Sequence, residues 1–322
     1  MADGGEGTLE AFETAVPGAI RMPATVTGPD NSDVASEWLL LPDGTGVVEL
    51  ALASGLHLLD PLLPLDAHSL GFGELIVAAL DSGVERLVLG IGGSASTDGG
   101  VGMLTALGAS FVDVDGEPIA RGNAGIASLA SVDLSGVRIP PAGTIALTDV
   151  TNPLFGPRGA AWVFGPQKGA TDADCQVLDA NLTHLAQVLD LESLGVEVGA
   201  GSAGGVGFGL LVWGAQLVGG SSSVGDLIGL PAAITTANLV ITGEGRFDDQ
   251  TASGKVAHHV ATAAGAAGVP LALVAGSIDA RTDLFVDTIN LTTLAGSSDA
   301  ARGDAERWLT EAGRVLAQRY TG

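Results

Sequence analysis

Apolar, β-branched runs alternate along the chain with alanine-rich stretches of helical period, the pattern of an α/β architecture. RLVLGIGG (86–93), TIALTDV (144–150), NLVITGEG (238–245) and LALVAGS (271–277) read as strands that run into loops. Between them, GELIVAALDSG (73–83), GVGMLTALGA (100–109) and GKVAHHVATAAGAAG (254–268) read as helices, the last closed by glycine and the proline at 270. Segment 16–60 has another rhythm: VPGAIRMPATVTGP, EWLLLPDG and TGVVELALASG predict an antiparallel meander with Pro-Gly and Asp-Gly turns, part of an α+β module. From 235 onward β/α alternation returns and ends in an amphipathic helix, DAERWLTEAGRVLAQRY. No internal repeat interrupts this order.

With 322 residues, 46% of them hydrophobic, the chain is long enough for about two domains. A net charge of −24, with Lys168 and Lys255 the only lysines, argues against nucleic acid or an anionic membrane as partner. Cys175 is alone, which excludes an internal disulfide and a cysteine zinc site; its helical context makes it a small packed residue rather than a nucleophile. The five histidines show no metal-ligand spacing. No long uncharged apolar run and no signal-peptide pattern is present, so a soluble, cytoplasmic protein is expected.

The chemistry concentrates in glycine-rich loops, where missing side chains let backbone N–H groups converge on an anion. In LVLGIGGSASTDGG (87–100), Gly92, Gly93, Ser94, Gly99 and Gly100 are candidate phosphate contacts, and Asp98 is a candidate magnesium carboxylate or a helix N-cap. The same stretch also matches the dinucleotide pattern Gly90-x-Gly92-x-x-Ala95, with Asp113 or Asp115 downstream for a ribose, which keeps an NAD(P)-dependent oxidoreductase as an alternative. LVITGEGRFDDQTASGKV (239–256) crowds Gly243, Glu244, Gly245, Arg246, Asp248, Gln250, Thr251 and Lys255 into one segment, an inventory suited to phosphoryl transfer. ADGGEGT (2–8) pairs Asp3 and Glu6 with three glycines. DVTNPLFGPRGAAWVFGPQKGA places Asp149 and Asn152 after a strand, then Arg158 and Lys168, cations that a small acid's carboxylate would need. GAGSAGGVGFG, with Gly204 and Gly205, suits either a phosphate or close packing.

Taken together and in this order, ADGGEGT, GIGGSASTDGG, DVTNPLFGPRGAA, GSAGGVGFG and TGEGRFDDQT resemble the bacterial type I glycerate kinases over nearly the whole chain. The resemblance implies a flavodoxin-like three-layer α/β domain built from 1–13 and 235–322, an inserted α+β domain resembling a restriction endonuclease core at 14–234, and a cleft between them. It also implies ATP with Mg²⁺, D-glycerate as acceptor and 2-phosphoglycerate as the usual product. Carried over motif by motif, it places Asp248, Lys255, Glu244 and Asp149 in catalysis. Gly92, Gly93, Ser94, Gly99, Gly100, Gly204, Gly205, Gly243, Gly245 and Thr251 go to the nucleotide. Asp3, Glu6, Asn152, Arg246 and Gln250 go to the substrate, and Asp98 and Asp248 to the metal. Family members carry about sixty further residues, on the order of two β/α units, ahead of ADGGEGT; a start codon placed upstream is expected, with an inactive truncated kinase as the other reading. Without those units a sheet edge would be open to pairing with a second copy of the chain. Phe72 stands where the family has a small hydroxyl residue, and Ala257 where it has a proline.

Overall fold

The computed structural model describes residues 4–248 and 256–320. It has mixed α/β architecture and divides into two compact units, Met1–Val224 and Gly225–Gly322.

The first unit is built on a six-stranded mixed sheet. Its strands are β1 (Ile20–Thr27), β2 (Asp33–Leu40), β3 (Thr45–Glu49) and β4 (Arg86–Gly90), then, after the small hairpin β5 (Ser110–Val112) and β6 (Ser131–Asp133), β7 (Thr144–Leu147) and β8 (Gln216–Val218). The order is β1-β2-β3-β4-β7-β8. The predicted meander is present: β1 and β2 pair antiparallel, as do β2 and β3. Its turns are set locally, the second by Asp43, whose carboxylate accepts from Thr45 N at 3.0 Å, and by Gly44 at φ 83°. From β3 onward the pairing is parallel through β4, β7 and β8. Every residue of β3 is buried, as expected for a central strand covered on both faces.

Helix Leu70–Asp81 turns Phe72, Leu75, Ile76 and Ala79 inward at i, i+3, i+4 and i+7, into one cluster with Trp38, Val48, Leu87 and Leu89. Phe72 is therefore a core residue, with its ring wholly buried. The terminal segment is held in place. Gly4 O accepts from Gly92 N at 2.9 Å, and Glu49, at the end of β3, accepts from Gly7 N and Leu9 N at the start of helix Thr8–Ala15. Burial raises the pKa of the Glu49 carboxyl, against the pull of those amides.

In the second unit β9 (Val240–Phe247), β10 (Leu271–Ile278) and β11 (Asp287–Asn290) form a parallel sheet in the order β11-β10-β9. The period of two along β10 sorts the helices onto its faces. Leu271 packs with Val260 and Ala264 of helix Val256–Ala267, while Ala272 and Val274 pack with Ala312 and Leu316 of helix Ala305–Tyr320. Ala257 is buried with Phe247, Leu273 and Ala275, a site that asks for a small apolar side chain. Among the described residues, no helix is long and apolar enough to cross a membrane.

Candidate functional site

Where β4 and β7 end, their loops diverge and leave a cavity of about 330 Å³ in the first unit. Ligands collect at the carboxyl ends of parallel strands because the loops there can face one another without blocking the sheet. Gly92, Gly93 and Ser94 line the cavity from β4, and Thr148 and Asp149 from β7. Gly4 and Gly5 of the terminal segment complete that side, and Gln167, Lys168 and Ser202–Gly204 form the opposite one. Glycine at 92 is required: a Cβ there would lie 2.5 Å from Gly5 Cα. Asp149 accepts from Gly220 N at 2.8 Å through one carboxylate oxygen.

Lys168 is the unusual member. It sits on a short 3₁₀ turn, Pro166–Lys168, that reverses at Gly169 (φ 88°), and its side chain is only 2% exposed. Nζ donates to Ser94 Oγ at 2.9 Å and to Ser96 O at 2.5 Å. Burial pulls its pKa down to about 7, against the opposing influence of the charge on Asp98.

That shift makes stability pH-dependent. The unfolded lysine titrates near 10.4, so between about pH 7 and 10 the unfolded state holds the extra proton and stability rises with pH. The slope from this group is up to ~1.4 kcal/mol per pH unit. Urea unfolding at pH 7, 8 and 9 should show a steeper gain for the wild type than for Lys168→Met; parallel profiles would contradict the assignment.

Several of the expected site residues have well-defined partners in the structure. Asp98 is fully buried, and its two oxygens already accept from five donors: Ser69 N and Oγ (both 2.8 Å) and Gly102 N (3.1 Å) on one, Ser96 Oγ (3.1 Å) and Gly100 N (3.2 Å) on the other. Through these bonds Asp98 anchors the loop and the start of helix Val101–Ala106. Gly99, Gly100 and Gly205 are closely packed. A Cβ at Gly100 would lie 3.0 Å from Gly209 Cα, one at Gly205 2.9 Å from Gly99 Cα, and one at Gly99 2.5 Å from the Leu185 side chain. They let helices Val101–Ala106 and Val206–Val212 approach at backbone distance. Gly204 does line the cavity, held at φ 66°.

β9 also runs further than expected. The strand does not end at Gly243-Glu244-Gly245 but continues to Phe247, so Gly243 and Gly245 lie within a strand and not in a loop. Arg246 Nε lies 3.0 Å from Asp279 and 3.5 Å from Asp248, which follows the strand end. Asn152 is not on the cavity wall; its Nδ2 donates to Arg158 O at 2.8 Å and shapes the loop. Glu6 is largely exposed, 3.9 Å from His57 Nδ1. Asp3, Gln250, Thr251 and Lys255 lie outside the described residues. Cys175 is buried beside Ala161 O, and burial raises its thiol pKa, as befits a packed and unreactive residue.

The dinucleotide reading fails on local geometry. That fingerprint needs a helix opening at its glycines, so that pyrophosphate meets a helix N-terminus. Here Ala95 is buried, Ser94 bridges to Gly55, and the next helix starts only at Val101. Gln167, Thr148 and Ser202 line the cavity without a sequence signal, whereas Lys168 is one of the cations that the sequence offers for a small acid's carboxylate. With a net charge of −24 and two lysines in the chain, a lysine in this turn stands out in composition as well as in spacing.

The family model described as the glycerate kinase family matches residues 1–321. A glycerate kinase of Bacillus subtilis (strain 168) is 46% identical over 86% of this chain and 75% of its own length. The glycerate 2-kinase of Escherichia coli (strain K12) is 44% identical over the same shares. A crystal structure from Salmonella typhimurium LT2 superimposes with a TM-score of 0.81 at 40% identity, covering 98% of this chain and 88% of that one. The chain belongs to the glycerate kinase family.

Proposed function

We propose that the protein transfers the γ-phosphate of ATP to D-glycerate, giving 2-phosphoglycerate. The observation that carries this reading is the cavity beyond β4 and β7, which sets bare glycine backbone, a carboxylate and a buried lysine around a volume suited to a small hydroxy acid. Family membership supplies the reaction class.

Within this reading the Gly92 and Gly93 backbone and Ser94 receive anionic oxygens, which need donors fixed in place and no bulky side chain. Asp149 has one oxygen bonded to Gly220 N and stands on the cavity wall, which fits the one or two carboxylates that Mg²⁺ takes beside phosphate oxygens and water. Asp149 would hold that ion in the first unit, and the ion's contribution would be to neutralise charge on the β- and γ-phosphates. Asp248 takes the proton from the acceptor hydroxyl, and Glu244 and Lys255 complete the catalytic set. Gly243, Gly245 and Thr251 belong to the nucleotide, and Asp3 and Glu6 to the acid.

The finer fold description belongs to the same reading: a flavodoxin-like domain of 1–13 with 235–322, and a restriction-endonuclease-like domain of 14–234. Its support is the parallel β9–β11 sheet with helices on both faces and the mixed six-stranded sheet. Residues 4–9 themselves pack beside β3 and β4.

A coupled ADP-release assay tests the function. With ATP, Mg²⁺ and D-glycerate we expect sustained ADP formation, abolished by chelating the metal, with phosphorus NMR placing the phosphate on the second carbon. Nucleotide binding without turnover would instead identify an inactive kinase.

A further inference from the structure

We propose that Lys168 is the residue that captures the acceptor's carboxylate, its ammonium and the Ser94 hydroxyl forming the anionic subsite of the cavity. The proposal rests on the glycerate reading of this site. Lys168 is one of only two lysines in a chain of net charge −24, and it lines the cavity while 98% of its surface is hidden.

Two of the three ammonium hydrogens are committed, to Ser94 Oγ and Ser96 O, and the third has no protein acceptor among the described residues. No carboxylate among the described residues forms an ion pair with Lys168, and Asp98, the acid whose charge reaches it, is already engaged by five donors. An ammonium buried against neutral oxygens is costly, and a structural prop would not need its charge. An incoming anion supplies the missing counter-charge. Ser94 Oγ accepts from Lys168, so its own hydrogen points elsewhere and can serve the second oxygen of a carboxylate.

The surrounding backbone is moulded to this head group. Gly204 has φ 66°, and a Cβ there would come within 2.8 Å of Nζ and 1.9 Å of Ser96 O. Phosphate oxygens could also meet an ammonium, but a cavity of about 330 Å³ suits a small acid better than a nucleoside triphosphate. Among the described residues, the other charged groups around it are Asp149 on its wall, with Glu6 and His57 beside Gly93 and Leu56.

Lys168→Gln tests the proposal, because the amide can still donate to Ser94 Oγ and Ser96 O while the charge is gone. Wild type and variant are titrated calorimetrically with D-glycerate, L-lactate, glycerol and MgATP separately, and their steady-state constants are measured. We expect D-glycerate to bind at least tenfold more weakly to the variant and its KM to rise to match, with the ATP constants within twofold. Glycerol, lacking the carboxylate, should not tell the two proteins apart. Unchanged glycerate affinity, or a loss of ATP affinity instead, overturns the assignment. If the wild type binds lactate but neither binds nor phosphorylates glycerate, the glycerate reading fails and the carboxylate subsite stands, provided Lys168→Gln loses lactate. If no acid binds the wild type, the subsite itself is refuted. Should Lys168→Gln not fold, Ser94→Ala decides the matter: acid binding weakened about threefold or more with ATP unaffected supports the subsite, and unchanged acid binding rejects it.

Discussion

Asp98→Ala is expected to be the most destabilising single change in the first unit, lowering its melting temperature by about 6–20 °C. Removing the carboxylate leaves five hydrogen-bond donors without their acceptor in a place with no solvent access. It also takes away a negative charge that favours the buried ammonium of Lys168. Breaking a buried ionic arrangement by deleting one member typically costs about 3–5 kcal/mol. For a unit of this size each kcal/mol moves the midpoint by about 2–4 °C. Asp98→Asn should recover part of the loss, since its amide oxygen can still accept on one side while its NH₂ opposes donors on the other. Differential scanning calorimetry with and without Mg²⁺ checks both points. A variant that melts within 2 °C of the wild type, or one that loses only a magnesium-dependent increment of stability, would assign Asp98 to the metal.

Asp248→Asn should have the opposite signature, with turnover of D-glycerate falling by about 10²–10⁴ and the melt almost unmoved. Asp248 follows the carboxyl end of β9, where parallel sheets present their reactive groups. Loss of a positioned proton acceptor carries a penalty of that size. Stability should hold because the pair with Arg246 is long, at 3.5 Å, partly exposed, and leaves Arg246 its closer contact with Asp279. Single-turnover kinetics, paired with a thermal scan, separate the two effects. Activity retained within threefold would remove Asp248 from catalysis and return attention to Glu244 and Asp149.

Reading the glycines shows how far a one-dimensional pattern reaches. LVLGIGGSASTDGG announced a strand followed by a special loop, and the strand Arg86–Gly90 and the cavity beyond it are there. What the pattern could not do was divide its five glycines by purpose. Gly92 and Gly93 keep the cavity open, whereas Gly99 and Gly100 make room for Leu185 and for Gly209 of another helix. Both uses ask for the same missing Cβ, and only the partner decides between them. The strand β9 runs two residues past the expected end at Gly245 for a related reason: glycines normally end strands, but here pairing with β10 carries the chain through Gly243 and Gly245 to Phe247.

By itself the sequence determined the α/β class, the antiparallel meander and its turns, and the amphipathic helices, because each depends on periodicity or on turn chemistry within a few residues. Tertiary structure alone decided that Asp98 is held by five donors and that Lys168 faces a cavity. Their partners lie far along the chain, Ser69 being 29 residues from Asp98 and Ser94 74 residues from Lys168. Whether a charged group is spent inside the fold or left for a ligand depends on how many donors and acceptors packing brings to it, and that number is written in no local stretch of sequence.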